Sequence, residues 1–489
     1  MLKRIWDKYR TFPVQVRASF WFLLCSFLQK GISVITTPIF TRLLSTTEYG
    51  QYNVFDSWLK ILTIFISLQL YSGVYIQGLV KFSDDRRKFS SSLQGLTILL
   101  CSIWTIVYLV FHEFCNKLLN LTTVQILAML AMIWSTAAFS LWAGEQRVEY
   151  RYKKLVIATL IVSIAKPLVG IVFIIYSEDK VTARIIGLAL VELIGYTGFF
   201  ILQLKRGRQF YSKKYWKHAL TFNLPLIPHY LSQTILNSAD RIMIENMIGS
   251  SQAGIYSLAY SLSLIMLLFN TALMQTISPW MYQKIKEKHG KEIAPIAYIT
   301  LMIIAAVNLA LILLAPEAVA LFAPKEYHEA IWVIPPVAMS VFFMYAYDLF
   351  AKFAFYYERT KIIMIASVSG ALLNIILNYF FISLYGYIAA GYTTLVCFMI
   401  YSIIHYIFMR KVCRECCDGE YPYETRIILL ITIPFVVVGF VFMATYKYLV
   451  IRYGLVVITI VMAIVMRKRI TGIVKDIMSL KRIKAKNDC

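Results

Sequence analysis

The chain has 489 residues, of which 59% are hydrophobic and 15% charged, and it carries a net charge of +23. A soluble domain of this size has no means of hiding so large an apolar fraction, so the composition excludes an ordinary globular protein. Its apolar residues fall in about fourteen continuous stretches, each close to the roughly 20 helical residues that cross a bilayer core, and continuous runs without two-residue alternation exclude a membrane β-barrel.

In chain order the predicted spans are 18–40, 54–76, 92–111, 124–142, 155–176 and 185–204, then 219–242, 255–280, 293–315, 330–350, 362–382 and 387–408, and finally 427–446 and 449–466. Spans 2 and 8 are long enough to tilt or to extend past the core. The expected fold is an all-α integral membrane protein of about 14 transmembrane helices: an N-terminal six-helix lobe over 1–204, a second over 205–410, and a last helix pair with a basic tail over 411–489. The first span runs on into Thr37-Pro38-Ile39-Phe40 with no small-residue cleavage site, which is expected of a retained anchor.

Charge distribution explains the basic balance without nucleic acid. With the N-terminus inside, about 38 of the 49 Lys and Arg lie on the inner side, including the tail from Arg467 to Lys484, and about 8 on the outer side. Both termini are therefore expected in the cytoplasm. Of eight cysteines only Cys115 clearly faces outward, so no disulfide framework is implied. The Cys413-x-x-Cys416-Cys417 group lacks a second ligand pair at zinc-site spacing, and no metal or cofactor is expected.

An internal repeat sharpens the fold. At an offset of 204 residues, Thr46, Thr47, Gly50 and Tyr52 fall on Ser250, Ser251, Gly254 and Tyr256, and Phe65, Leu168, Ile171 and Gly187 fall on Phe269, Leu372, Ile375 and Gly391. A repeat of six spans, an even number, has both copies entering from one side, as in parallel two-lobed transporters that rock about a central site.

Charge at membrane depth marks candidate functional positions, because an ionised side chain at a helix centre costs about 2.5–3.5 kcal/mol on insertion scales. Lys30 lies in span 1, Asp56 and Lys60 form an i, i+4 pair in span 2, Lys166 precedes Pro167 in span 5, and Glu192 lies in span 6. Span 7 carries Asn223, Pro225, Pro228, His229, Gln233, Asn237, Asp240 and Arg241, while spans 9 and 11 add Asn308, Asn374 and Asn378. For Lys30 and Lys166 a substrate-facing role stands against structural pairing with Asp56 or Glu192. For Lys60 the pairing with Asp56 favours structure. Asp240 and Arg241 read as a structural or gating pair, and His229 as an interhelical hydrogen-bonder or a proton relay.

The run Pro38-Ile39-Phe40-Thr41-Arg42-Leu43-Leu44-Ser45 followed by Glu48-Tyr49-Gly50-Gln51-Tyr52 resembles the first-helix signature of polysaccharide-biosynthesis flippases of the multidrug/oligosaccharidyl-lipid/polysaccharide (MOP) exporter superfamily. Leu224-Pro225-Leu226-Ile227-Pro228, Ser238-Ala239-Asp240-Arg241, Gly254-Ile255-Tyr256-Ser257 and Ser278-Pro279-Trp280 resemble the corresponding run of O-antigen flippases of the Wzx type, and Tyr385-Gly386-Tyr387-Ile388-Ala389-Ala390-Gly391 is similar to the family's pattern before helix 12. The resemblance implies a non-enzymatic carrier of undecaprenyl-diphosphate-linked oligosaccharides, moving them from the cytoplasmic to the outer leaflet of a bacterial cytoplasmic membrane by alternating access. A polysaccharide polymerase and chain-length machinery would be its further partners, and spans 13 and 14 would form a groove for the polyprenyl tail.

On that reading Lys30, Lys60, Lys166, Asn223, His229, Gln233, Asn237, Asn374 and Asn378 line the substrate cavity, and Asp56, Glu192, Asp240 and Arg241 serve coupling or gating. A diphosphate needs cations at depth, and lysine supplies a compact one. Two other functions compete. A multidrug/cation antiporter of the same superfamily would use carboxylates for organic cations and stop at twelve helices. A membrane polymerase or glycosyltransferase would need an acid/base or metal constellation on a substantial loop, and the outward connectors here are short.

Overall fold

The computed structural model describes residues 13–417 and 419–465; the basic tail from Arg467 to Lys484 and the N-terminal Lys3, Arg4, Lys8 and Arg10 lie outside them. The described residues form helices joined by short turns, with no strand among them. Among the described residues, eleven helices are long and apolar enough to cross a membrane.

In the first part of the chain the α-helices, long and short, are α1 (Val14–Leu43), α2 (Thr46–Ser67), α3 (Gly73–Lys81), α4 (Arg86–Val110), α5 (His112–Leu119), α6 (Thr123–Val148), α7 (Tyr152–Ile175), α8 (Lys180–Gly207), α9 (Lys213–Asn223) and α10 (Ile227–Met247). In the second part follow α11 (Ser250–Leu264), α12 (Met266–Lys286), α13 (Ile293–Leu313), α14 (Ala315–Phe322), α15 (Ile334–Tyr356), α16 (Thr360–Tyr385), α17 (Ala389–Cys416), α18 (Thr425–Ala444) and α19 (Leu449–Val465). The chain divides into two compact units after Ser238, within α10.

Local chemistry sets the helix starts. Ser45 and Glu48 form a capping box at α2, with the Glu48 amide donating to Ser45 Oγ and the Ser45 amide to Glu48 Oε2 at 2.7 Å. Thr122 and Gln125 repeat it at α6, and Asp179 accepts the Thr182 amide at the start of α8. Each box satisfies two amides that would otherwise be orphaned at a helix start. The Ser45 box lies inside the resemblance motif, which gives that motif a physical content.

Two predicted spans are broken. Span 2 ends its first helix at Ser67 and restarts at Gly73; Leu68 and Gln69 between them have φ of 49° and 52°, the left-handed region. Span 7 is α9, a 3-10 turn over Leu224–Leu226, and α10, the interruption falling at Pro225 and Pro228 as proline's missing amide and ring require. Span 8 is one long run, Ser250–Lys286, jointed at Ile265. The stretch from 316 to 329 is an elbow made of α14 and a 3-10 helix, Lys325–Trp332.

In unit 1, α8 is the central packing element, lying against α4, α6 and α7, and α1 packs on α7. Glycines let two of these meet closely: a Cβ at Gly207 would overlap the Arg87 carbonyl of α4, and one at Gly95 would overlap the Phe210 carbonyl. In unit 2, α15 is the most deeply buried helix, packed against α17, α11, α12 and α13. Helix α18 rests on α13 and α15 and leaves most of its surface apolar and exposed. The seven described cysteines are free thiols.

Candidate functional site

Unit 1 separates the mid-span lysines. Lys30, near the middle of α1, is exposed and makes no hydrogen bond or ion pair among the described residues. Its neighbour Gln29 donates to Ser163 Oγ of α7 at 3.1 Å, which holds that turn of α1 in place. Lys166 of α7 is ion-paired with Glu192 of α8, a carboxylate only 3% exposed that also accepts from Thr136 Oγ1 at 2.9 Å. Lys60 pairs with Asp56 one turn away on α2, at 2.5 Å.

The polar residues of span 7 do different jobs. Asn223 is fully buried and its Nδ2 donates to the Leu68 carbonyl at the break in span 2. Asn237 Nδ2 donates to the Gln233 carbonyl at 2.7 Å, within its own helix. His229 is half-buried beside Tyr230, ring centroids 5.9 Å apart.

Unit 2 contains a buried polar cage around Asp240. The carboxylate, 1% exposed, accepts from Tyr256 Oη at 2.6 Å, Asn378 Nδ2 at 2.6 Å and Thr394 Oγ1 at 2.9 Å. Asn378 in turn accepts from Thr393 Oγ1 and reaches Asn374 Oδ1 at 3.3 Å. Four helices, α10, α11, α16 and α17, thus converge on one carboxylate through neutral hydroxyl and amide donors. Arg241, next in sequence, stands over the Tyr260 ring at 4.4 Å. Asn308 lies apart, its amide bonded to the Ile304 carbonyl at 2.8 Å.

Further charged groups, some buried and some half-buried, escape the reading from sequence. Arg184 is sandwiched between Phe40 and Tyr52, 3.7 and 3.4 Å from the ring centroids. Glu145 accepts from Gln203, which is linked to Gln94 at 2.7 Å and to Tyr75, itself bonded to Ser90. Asp348 and Lys352 pair at 2.7 Å on α15. Arg184 and Glu145 sit one and three residues outside the predicted spans 185–204 and 124–142, and boundaries read from hydropathy carry errors of that size. Asp348 lies inside span 330–350, and its i, i+4 lysine was the available signal.

The family model described as polysaccharide biosynthesis protein matches residues 16–285, and the model described as MatE matches 225–380. A protein of Haemophilus influenzae described as an uncharacterized membrane protein is 19% identical over 379 residues, 73% of this chain and 88% of that relative. Another from the same organism, Lsg locus putative protein 1, is 25% identical over 213 residues, 41% of this chain and 52% of that relative. Among solved structures, the lipid II flippase MurJ in an inward closed conformation aligns with a TM-score of 0.69 at 16% identity, over 91% of this chain and 99% of that one. An inward-facing multidrug resistance MATE family transporter of the MOP superfamily aligns with a TM-score of 0.64 at 14% identity, over 80% and 96%. These structural likenesses establish the shared fold.

Proposed function

From the premise that the chain belongs to the polysaccharide biosynthesis protein family of MOP-superfamily flippases and transporters, we propose that it carries undecaprenyl-diphosphate-linked oligosaccharide units from the cytoplasmic to the outer leaflet of the bacterial cytoplasmic membrane. The glycan feeds surface polysaccharide synthesis, and both termini lie in the cytoplasm, where the basic connectors concentrate. The carrier works by alternating access and is not an enzyme.

The observation that carries this reading is Lys30. An ammonium near the middle of a membrane helix is costly unless it meets water or an anion, and Lys30 has no partner among the described residues. Lys166 and Lys60, by contrast, already have carboxylates. We assign Lys30 to the substrate diphosphate, and Lys166 with Glu192 to holding α7 against α8.

The Asp240 cage takes the coupling role. A buried carboxylate held by neutral donors can exchange those bonds for a cation or a proton, and four helices move with it. This carboxylate also keeps the cation antiporter in view as the second reading.

Reconstitution in sealed proteoliposomes tests the assignment. Labelled undecaprenyl-diphosphate oligosaccharide should reach the opposite leaflet only with protein present, and Lys30→Ala should slow transfer by about tenfold or more with the thermal midpoint unchanged. Transfer by Lys30→Ala at the wild-type rate removes the lysine mechanism. No transfer, alongside robust efflux of organic cations, selects the antiporter.

A further inference from the structure

At one end of unit 1, the last turn of α6, the start of α7 and the last turns of α8 enclose a cavity of about 580 Å³. Four cations line it: Arg151, Lys153, Lys154 and Arg206, all exposed. Arg151 shares Glu149 at 3.0 Å; Lys153, Lys154 and Arg206 have no ion-pair partner among the described residues. Aromatic side chains line it too, with buried Trp142 stacked on Phe199 at 4.0 Å between ring centroids. Gln146 also lines the cavity; it is 2% exposed, and its Nε2 donor has no partner.

The turn beneath the cations is unusual. Tyr150 has φ of 54°, and the Arg151 amide closes back on the Gln146 carbonyl at 2.8 Å. That is the geometry in which glycine normally ends a helix, and a bulky residue held there is a strained position of the kind that clusters at binding sites.

We propose that this cavity binds the headgroup of an anionic glycerophospholipid, a resident of the bilayer distinct from the transported glycan carrier. Basic pockets between membrane helices at the charged end of a bundle suit acidic lipid headgroups, and Trp and Tyr side chains favour the headgroup level. The cavity holds a headgroup and the first carbons below it, not a whole lipid. Its cations receive phosphate oxygens, the orphaned Gln146 amide donates to a further acceptor, and Trp142 and Phe199 cover the glycerol and upper acyl carbons. A zwitterionic lipid brings its own cation into a ring of four like charges and is disfavoured. Free inorganic phosphate lacks anything for the aromatic side chains.

Native mass spectrometry on the purified full chain in detergent tests this, using phosphatidylglycerol, phosphatidylcholine with the same acyl chains, undecaprenyl diphosphate and inorganic diphosphate as probes. Phosphatidylglycerol should bind about tenfold tighter than phosphatidylcholine, and Lys153→Gln/Lys154→Gln/Arg206→Gln should lose about tenfold or more of that affinity. Lys213→Gln/Lys214→Gln/Lys217→Gln, an equal charge change outside the cavity, should lose none. Gln146→Leu changes no charge and should still weaken binding, which keeps the test alive if the triple variant misfolds. Equal losses in both triple variants, no discrimination between the two phospholipids, or unaltered binding by Gln146→Leu overturns the site. Displacement of phosphatidylglycerol by lower concentrations of undecaprenyl diphosphate or inorganic diphosphate overturns the resident-lipid assignment. None of these outcomes depends on whether the chain flips a glycan.

Discussion

Lys30 and Lys166 are the same residue type at similar depth, yet their surroundings separate them. Removing Lys166 leaves Glu192, 3% exposed, with only hydroxyl donors from Thr136 and Ser135. Breaking a buried pair from one side typically costs about 3–5 kcal/mol, and the partial exposure of Lys166 places the expected loss at the lower end. Lys166→Ala should therefore lower the thermal midpoint in detergent, and Lys166→Met with Glu192→Gln should recover most of it. Lys30→Ala should leave the midpoint where it is. If Lys166→Ala proves neutral, the pair does not hold α7 to α8. The sequence offered both lysines the same two fates; only the placement of α8 beside α7 distinguishes them, because Glu192 is 26 residues from Lys166 and no local spacing brings them together.

At the level of elements, what could be read from sequence is what a continuous apolar run dictates: the eleven long helices lie where hydropathy placed spans. The break in span 2 was hidden, since Leu68-Gln69-Leu70-Tyr71 keeps the apolar composition of a helix and contains no proline. The bend in span 7 was legible through Pro225 and Pro228. The Asp240 cage was half legible: Asp240, Asn374 and Asn378 stood out as polar residues in apolar helices and Tyr256 through the repeat and the motif, but Thr393 and Thr394 did not, because Thr is ordinary there. Close packing of α8 on α4 yields a further prediction. Gly207→Ala would drive a Cβ into the Arg87 carbonyl and the Ser91 side chain, so the helix ends must separate. Overpacking of this kind costs about 1–3 kcal/mol, and a drop in thermal midpoint together with faster proteolysis in the 204–213 connector checks it. An unchanged midpoint would mean that this contact is soft.

For the whole molecule, the orientation proposed from the basic connectors can be read chemically. Cys115 on α5, Cys416 at the end of α17 and Cys417 after it are accessible in part, whereas Cys25, Cys101, Cys397 and Cys413 are buried. In a Cys489→Ser background, a membrane-impermeant maleimide should label Cys115 in intact cells and the Cys416–Cys417 pair only after permeabilisation. The reverse pattern would invert the protein and with it the direction of transport. The break in span 2 also bears on how the protein is made. Its Leu68 carbonyl is capped by Asn223, 155 residues later in the chain, which at 5–20 residues per second means roughly 8–30 s of synthesis between the two. During that interval the nascent first unit sits in the lipid with a bare carbonyl at its kink, open to insertion machinery or a passing lipid. The six spans up to residue 204 are thus an unfinished object, and the seventh, arriving late, is the stitch that closes them.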